Sequence, residues 1–245
     1  MSRSGELKRL AAAAPDAPSL AAALRRADVA LIAEVKRRSP SKGSIAPGLD
    51  AVTQARAYVA GGAAAISVLT EPAHFAGSLE DLEAVRAALT APALKKDFHV
   101  RPIQLIEARA AGASAALLIA RALAPERLRE MMDAGRDLGL ELLVEIRDEA
   151  ELDRALEVGA TMIGVNNRDL ESLIIDPATA ERLVPRIPRD LIAIAESGVK
   201  SRADVERYAA CGADAVLVGS SISAAADPTA ATRSIAEVPR IARAR

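Results

Sequence analysis

Two charged side chains, Glu34 and Lys36, close the first apolar run of the chain, which begins near Ala30. Residues two apart in a strand point to the same face, so a carboxylate and an ammonium would share one side. Burying both is costly unless they pair, and an internal ion pair is therefore one interpretation. We favour a chemical role, because residues 39–43 follow with serine, lysine and glycine, a set that suits an anion.

A pair of lysines, Lys95 and Lys96, closes another apolar run, which begins near Ala93. Side chains alternate along a strand, so only one of the two can face a shared interior. The sequence alone leaves open which lysine does so, and an exposed lysine pair is the alternative interpretation.

Three later apolar runs also end in ionisable or amide side chains. These residues are Glu145, Asn166, Asn167, Arg168, Asp169, Glu196 and Ser197. Together with the earlier groups they would bring carboxylates, lysines and an arginine to one place. Such a set suits general acid–base chemistry in which the surroundings separate the pKa values of the groups.

The last two runs end in glycine and serine, as Ser197-Gly198 and Gly219-Ser220-Ser221. Glycine lets a ligand approach the backbone closely, and backbone N–H groups at such loops commonly bind phosphate. We therefore predict a phosphate site here, with turn glycines and helix-capping serines as the alternative.

Positioning these groups requires a set of parallel strands, and the sequence contains eight short apolar runs with helical patterns between them. The runs begin near Ala30, Ala63, Ala93, Ala115, Glu141, Thr161, Leu191 and Ala215. Eight alternating strand and helix units predict an α/β fold, a single (β/α)8 TIM barrel with its catalytic groups at the carboxyl ends of the strands. We assign residues 1–245 to one domain, in which the barrel spans residues 30–245.

A short N-terminal helical extension, residues 1–29, precedes the barrel. We predict an amphipathic helix over residues 19–27, and the sequence does not decide whether it covers the bottom of the barrel or approaches its mouth. Four Gly-Ala pairs, at Gly62, Gly112, Gly159 and Gly212, mark predicted helix ends before every second strand. Glycine just past a helix adopts the left-handed conformation that stops it.

Composition argues against several classes of protein. The 245 residues include 32 basic and 33 acidic side chains, a balance that argues against a nucleic-acid partner. One cysteine and two histidines leave no internal disulfide and no cysteine- or histidine-rich metal site, and His74 and His99 are interpreted as loop residues. No apolar stretch approaches the ~18 residues of a membrane span, so we expect no membrane partner and a cytoplasmic location.

Seven ordered motifs resemble the indole-3-glycerol phosphate synthase family of tryptophan biosynthesis. The most specific is LIAEVKRRSPSKG, residues 31–43, which is similar to the family signature E-x-K-x-x-S-P-S-x-G. The others are SVLTEPAHFAGSLEDL, LKKDF, LLVEI, NNRDL, AESGV and LVGSS. The resemblance implies a carboxy-lyase without metal or organic cofactor. Its reaction converts 1-(2-carboxyphenylamino)-1-deoxyribulose 5-phosphate to indole-3-glycerol phosphate, carbon dioxide and water.

The resemblance also implies roles for individual residues. The catalytic residues are Lys96 as the general acid in preference to Lys95, Glu145 as its acid/base partner, Glu34 and Lys36. The residues that bind the rest of the substrate are Asn166, Arg168, Glu196, Ser197 and Phe75, the last as an aromatic wall. The phosphate-binding residues are Lys36, Ser39, Gly198, Gly219 and Ser220.

Two other functions are weighed against this one. Another phosphate-binding barrel enzyme of the pathway, such as a phosphoribosylanthranilate isomerase, would lack the ExKxxSPSxG motif. A non-catalytic barrel that binds a phosphometabolite would be expected to lack Lys96 or Glu145, and both are present. The extension before Glu34 is shorter than the family pattern, which leaves substrate contacts from that segment open. A complex with other enzymes of the pathway is also left open.

Overall fold

Eight parallel strands close into one barrel in the computed structural model, which describes residues 3–243. Each strand pairs with the next along the chain, and the last returns to the first with Ala30 opposite Ala215. The predicted (β/α)8 barrel is confirmed. The strands are β1 (Ala30–Val35), β2 (Ala65–Leu69), β3 (Ala93–Lys96), β4 (Ala115–Ile119), β5 (Glu141–Ile146), β6 (Met162–Asn166), β7 (Ile192–Glu196) and β8 (Ala215–Val218).

Helices cover the outside of this barrel and close its bottom. They are α1 (Arg3–Ala13), α2 (Leu20–Leu24), α3 (Ala51–Ala60), α4 (Pro72–Phe75), α5 (Leu79–Ala88), α6 (Pro102–Ala110), α7 (Pro125–Asp137), α8 (Glu149–Glu157), α9 (Ala178–Leu183), α10 (Arg202–Ala210), α11 (Ser220–Ser223) and α12 (Pro228–Ile235). Two 3-10 turns, Ala120–Ala122 and Val184–Arg186, and a small hairpin of Arg38–Ser39 with Gly43–Ser44 accompany them. Within residues 3–243, none of the helices has the length and apolarity needed to cross a membrane.

The four glycines that were predicted to end helices do so in the structure. Gly62, Gly112, Gly159 and Gly212 have φ angles of 101°, 78°, 72° and 92°, in the left-handed region that favours glycine. Each lies just after a helix and shortly before β2, β4, β6 or β8, so the chain reverses there into the next strand. Gly139, between α7 and β5, has a φ angle of 61° as well, so this turn is a common helix-to-strand connection of the barrel and is not confined to alternate units.

The inward faces of the strands are apolar at the bottom of the barrel and charged at the top. On β1 the inward residues are Ala30, Ile32 and Glu34, and on β3 they are Leu94 and Lys96. The apolar members join one buried cluster inside the barrel, and a second cluster fills the layer between strands and helices. Because strand side chains alternate with a period of two, one face delivers both the core and the functional groups.

Helix α2 of the N-terminal extension covers the bottom of the barrel and does not approach its mouth. Leu20 and Leu24 of α2 are fully buried in the inner cluster. Ser19 caps α2 by accepting a hydrogen bond from the backbone of Ala22 at 3.0 Å. The predicted helix over residues 19–27 was too long, because Arg25 leaves helical geometry at φ −86° and ψ 82°.

Helix α1 lies within the helical extension predicted over residues 1–29, although the sequence defined a helix only in the second half of that segment. It packs against α6 on the side of the barrel. The guanidinium of Arg109 in α6 donates to the carbonyls of Ala14 and Pro15, just past the end of α1, at 2.9 and 2.8 Å. This contact and the packing hold the start of the chain against the barrel wall.

Candidate active site

A cavity of about 740 Å³ opens at the carboxyl ends of the strands, as expected for this fold. All thirteen residues that the sequence analysis singled out as site residues line it. They are Glu34, Lys36, Ser39, Phe75, Lys96, Glu145, Asn166, Arg168, Glu196, Ser197, Gly198, Gly219 and Ser220. Among the described residues, the lining begins at Glu34, so the N-terminal extension contributes no wall to the cavity.

Lys96 occupies the centre of the charged group. Its ammonium donates to Glu196 Oε2 at 3.1 Å and to Glu145 Oε2 at 3.2 Å. Lys95 points away from the cavity, so the alternation along β3 selects Lys96 as the inward lysine. Three strands on different sides of the barrel therefore bring one ammonium and two carboxylates together.

Glu34 and Lys36 form an ion pair at the end of β1. The pair that the sequence analysis weighed as purely structural is thus present, but both side chains also line the cavity. The Lys36 ammonium lies 5.9 Å from the centroid of the Phe75 ring, within the range of a cation–π contact. Lys36 therefore stands between a carboxylate and the aromatic wall.

Burial and mutual charge set the protonation of the central groups. Burial opposes the charged form of Lys96, but the carboxylates of Glu196, Glu145 and Glu34 outweigh it and raise the lysine pKa. Burial also opposes ionisation of Glu34, yet the ammonium groups of Lys36 and Lys96 keep the pKa of Glu34 below its ordinary value. Burial raises the pKa of Glu196 to about 7, against the pull of Lys96. The site therefore holds a charged lysine, a charged Glu34 and, in Glu196, a carboxyl group poised near neutral pH.

Asn166 links Glu145 to the loop that follows β6. Its amide nitrogen donates to Glu145 Oε1 at 3.0 Å, and its amide oxygen accepts from the backbone of Arg168 at 2.9 Å. The Arg168 guanidinium donates to the carbonyl of Leu173 at 3.0 Å, which folds the loop back over the cavity. Asn166 thus orients a carboxylate and the arginine backbone together.

The loops after β7 and β8 form another wall of the cavity. Ser197 and Gly198 both have positive φ angles, 65° and 94°, so the chain turns sharply directly after Glu196. Gly219 precedes the one-turn helix α11, and Ser220 begins that helix. Ser39, on the hairpin after β1, is buried and accepts from the backbone of Lys42 at 3.2 Å.

Both tyrosines of the chain support the ends of glutamate-bearing strands from behind. The Tyr58 hydroxyl lies 2.9 Å from Ser223 Oγ and donates to the carbonyl of Glu34 at 3.3 Å. The Asn167 amide donates to the Tyr208 hydroxyl and to the carbonyl of Glu196, each at 3.0 Å. These supports could not be predicted from the sequence, because contacts between separate helices and strands leave no local pattern.

Several apolar residues of the lining were also missed. Leu117 and Ile119 share the inward face of β4, and Phe98 lies near Phe75 with 6.3 Å between ring centroids. The alternation in the run at residues 115–119 was the available signal, but buried leucines in a barrel strand are ordinary. Lys200 also lines the cavity, and nothing in its sequence context marks it.

The two histidines lie outside the charged group. His99 follows β3 and is buried, with Nδ1 2.7 Å from the Leu117 carbonyl, and burial lowers the pKa of its ring to about 4. His74 lies in α4 rather than in a loop, with an exposed ring. Within residues 3–243, no group of three histidine, cysteine or acidic residues is arranged to hold a metal ion.

A family model and two similar proteins carry the same description. A family model described as indole-3-glycerol phosphate synthase matches residues 1–235. Proteins of that name from Mycobacterium leprae and Streptomyces griseus are each 52% identical to this chain over 226 residues. The aligned region covers 92% of this chain and 83% and 84% of those two proteins, respectively.

Solved structures add support for the fold alone. The 3-hexulose-6-phosphate synthase of Salmonella typhimurium superposes with a TM-score of 0.66 at 19% identity, over 84% of this chain and 96% of that one. A thiamine phosphate pyrophosphorylase from Pyrococcus furiosus gives 0.62 at 16% identity, over 86% and 95% of the two chains. The TM-scores show that the barrel fold is shared. Sequence identities this low carry no information about function, which must be argued from the residues of the cavity.

Proposed function

The chain belongs to the indole-3-glycerol phosphate synthase family, and from this premise we propose that its charged cavity carries out the family's reaction. The substrate is 1-(2-carboxyphenylamino)-1-deoxyribulose 5-phosphate, and the products are indole-3-glycerol phosphate, carbon dioxide and water. The observation that supports this assignment best is Lys96, whose ammonium faces the cavity between Glu145 and Glu196.

Ring closure needs a proton donor. The aromatic carbon that carries the carboxylate attacks the ribulose carbonyl carbon, and the carbonyl oxygen must gain a proton as its π bond breaks. We assign that proton to Lys96, because its ammonium faces the cavity and its raised pKa keeps it protonated. The electron pair of the carbon–carboxylate bond then returns to the ring, and carbon dioxide leaves.

Dehydration completes the indole. The new hydroxyl group leaves as water after it gains a proton, and the neighbouring methylene loses a proton to a base. Glu145 is our candidate for the partner acid/base, since it contacts Lys96 and is held by Asn166. Glu34 and Lys36 complete the proposed catalytic set.

The phosphate of the substrate needs polar surroundings, and its aromatic ring needs apolar ones. We assign the phosphate to Lys36, Ser39, Gly198, Gly219 and Ser220, which supply an ammonium, hydroxyls and close backbone approach. Asn166, Arg168, Glu196 and Ser197 would hold the remaining polar groups of the substrate. The ring would lie against Phe75 and aliphatic side chains such as Leu117 and Ile119.

Three further expectations belong to the same proposal. We propose that the enzyme works without metal or organic cofactor, as the family resemblance implies. We propose a cytoplasmic location, where a phosphorylated biosynthetic intermediate would be available. Association with other enzymes of tryptophan biosynthesis stays a prediction, for which pull-down with the neighbouring enzymes of the pathway is the direct measurement.

The decisive experiment is turnover by the purified protein. With 1-(2-carboxyphenylamino)-1-deoxyribulose 5-phosphate we expect indole fluorescence to rise, and we expect the rate to be unchanged by a chelator. Phosphoribosylanthranilate serves as the comparison substrate, because its consumption would favour an isomerase. Absence of indole product from folded protein would overturn the assignment, and a rate that requires added metal would overturn the proposed chemistry.

A further inference from the structure

We propose that Gly164 is a positioning residue of the active site, whose missing side chain leaves the space that lets Glu196 reach Lys96. The inference rests on the proposed function, in which Lys96 and Glu196 face the substrate. It concerns a residue inside strand β6 that has no polar side chain of its own.

Gly164 lies on the inward face of β6, between Met162 and Asn166. Its neighbours across the sheet are Glu145 on β5 and Ile194 on β7. A Cβ atom placed on Gly164 would lie 2.0 Å from Oε1 of Glu196 and 3.1 Å from its Cδ, whereas its contact with Cδ1 of Leu143, at 3.3 Å, would be much less severe. Real Cβ atoms do not approach other heavy atoms that closely, so any side chain at residue 164 must displace the Glu196 carboxylate.

The backbone gives no separate reason for glycine here. Gly164 does not have the positive φ angle that glycine favours, and it lies within a regular parallel strand. Glycine inside a strand ordinarily weakens it, and it often marks a place where another group approaches closely. The approaching group in this case is the carboxylate of Glu196.

Displacing that carboxylate would break a particular contact. Glu196 Oε2 is 3.1 Å from the Lys96 ammonium, whereas Oε1 is buried over Gly164 with no hydrogen-bond partner among the described residues. No hydrogen bond holds Oε1 itself, and the free space above Gly164 accommodates it while Oε2 contacts Lys96. The Glu145 contact with Lys96 is anchored independently by Asn166 and should survive. The expected defect is therefore a misplaced Glu196 beside a lysine that keeps one partner.

The first test compares G164A with G135A. Gly135 in α7 is a matched control, because its added Cβ would meet the core side chain of Leu142 at 2.4 Å, away from the cavity. We expect G164A to lower kcat by about 100-fold with a smaller change in KM, as misplacement of a catalytic group by about 1 Å does. We expect G135A to lower the melting temperature while kcat stays near the wild-type value. A folded G164A enzyme with wild-type kcat would overturn the inference.

The second test asks whether the defect passes through Glu196. In an E196D background the shorter carboxylate withdraws toward β7, so adding G164A should reduce kcat by less than about threefold. An equal loss from G164A in both backgrounds would overturn the inference. The pH profile of kcat/KM should also change in G164A and stay unchanged in G135A.

A third measurement keeps the inference testable if G164A folds poorly. G164A should lower the melting temperature less in an E196A background than in the wild-type background, because the 2.0 Å clash with Oε1 is then absent. The same depression of melting temperature by G164A with and without Glu196 would contradict the inference. Wild-type turnover tests the proposed function separately from the role of Gly164. A protein that makes no indole product overturns the proposed function, whereas the melting-temperature comparison still reports on Gly164.

Discussion

Lys95 and Lys96 are consecutive in β3, and their ammonium groups end on opposite sides of the barrel wall. Lys96 faces the cavity, whereas Lys95 is only 1% exposed and pairs with Glu107 of α6 at 2.8 Å and with Asp97 at 3.5 Å. Lys95, the outer lysine, therefore has a structural role, since its buried ammonium is paired with two carboxylates. Its ion pairs fix the face that β3 presents and, with it, the direction of Lys96.

The first prediction separates the two lysines. Lys96→Ala should lower kcat by about 10²–10⁴-fold, because it removes the proposed proton donor, while phosphate-dependent binding persists. Lys95→Met should keep kcat per folded molecule near wild type and lower the free energy of unfolding by about 1–3 kcal/mol, because Glu107 and Asp97 lose their partner. Steady-state kinetics and denaturant titration measure both effects. A dead Lys95→Met enzyme with an active Lys96→Ala enzyme would reverse the assignment.

The charged strand ends could be predicted from the sequence because they follow the same two-residue alternation as the apolar core. Glu34, Lys96 and Glu145 each follow an apolar residue two positions earlier, so the same rule places the core and the charge on one inward face. The choice between Lys95 and Lys96 was not readable locally, since it depends on Glu107, a residue of the next helix. Only the family resemblance favoured Lys96 before the structure did.

Other features depended on contacts between distant segments. Helix α2 ends at Leu24 because Arg25 turns away, and Arg26 then pairs with Asp28 at 2.8 Å. No residue pattern indicates that the helix ends at Leu24, so the predicted helix extends three residues too far, to residue 27. The space above Gly164 was invisible for the same reason, because the atom that fills it belongs to Glu196 on the neighbouring strand.

The second prediction concerns pH and Glu196. Burial raises the pKa of this carboxyl from an ordinary value of 4.5 to about 7, so between those values the folded state binds more protons than the unfolded state. Its contribution to stability is therefore full below about pH 4.5 and declines as the pH rises through 7. Glu196→Gln should remove that decline. We would measure the melting temperatures of the two proteins from pH 4.5 to 7.5. The difference between them should be smaller at pH 4.5 than at pH 7.5. Parallel curves would contradict the raised pKa.

The third prediction concerns the bottom of the barrel. Glu141, at the start of β5, accepts hydrogen bonds from the backbone of Leu20 at 2.7 Å and Ala21 at 3.0 Å, and from the Ser19 hydroxyl. Glu141→Ala should lower the free energy of unfolding by about 1–3 kcal/mol, because the α2 donors lose their acceptor. Turnover should stay near wild type, because Glu141 lies at the end of β5 opposite to Glu145. Ser19→Ala is the milder control. A large loss of kcat in either variant would show coupling between the two ends of the barrel.

The last prediction concerns Phe75 and the binding of the aromatic ring of the substrate. The chain has two phenylalanines and no tryptophan, so few aromatic side chains are available to contact the substrate ring. Phe75 lies beside Lys36, whereas Phe98 is 43% exposed at the rim. Phe75→Ala should raise KM by about tenfold and change kcat less, since an aromatic contact of roughly 1.5 kcal/mol is lost. Phe75→Leu should recover part of that loss, and Phe98→Leu should have a smaller effect. If Phe75→Ala lowers kcat strongly at unchanged KM, the side chain acts in the chemical step through Lys36, and its assignment as a binding wall is wrong.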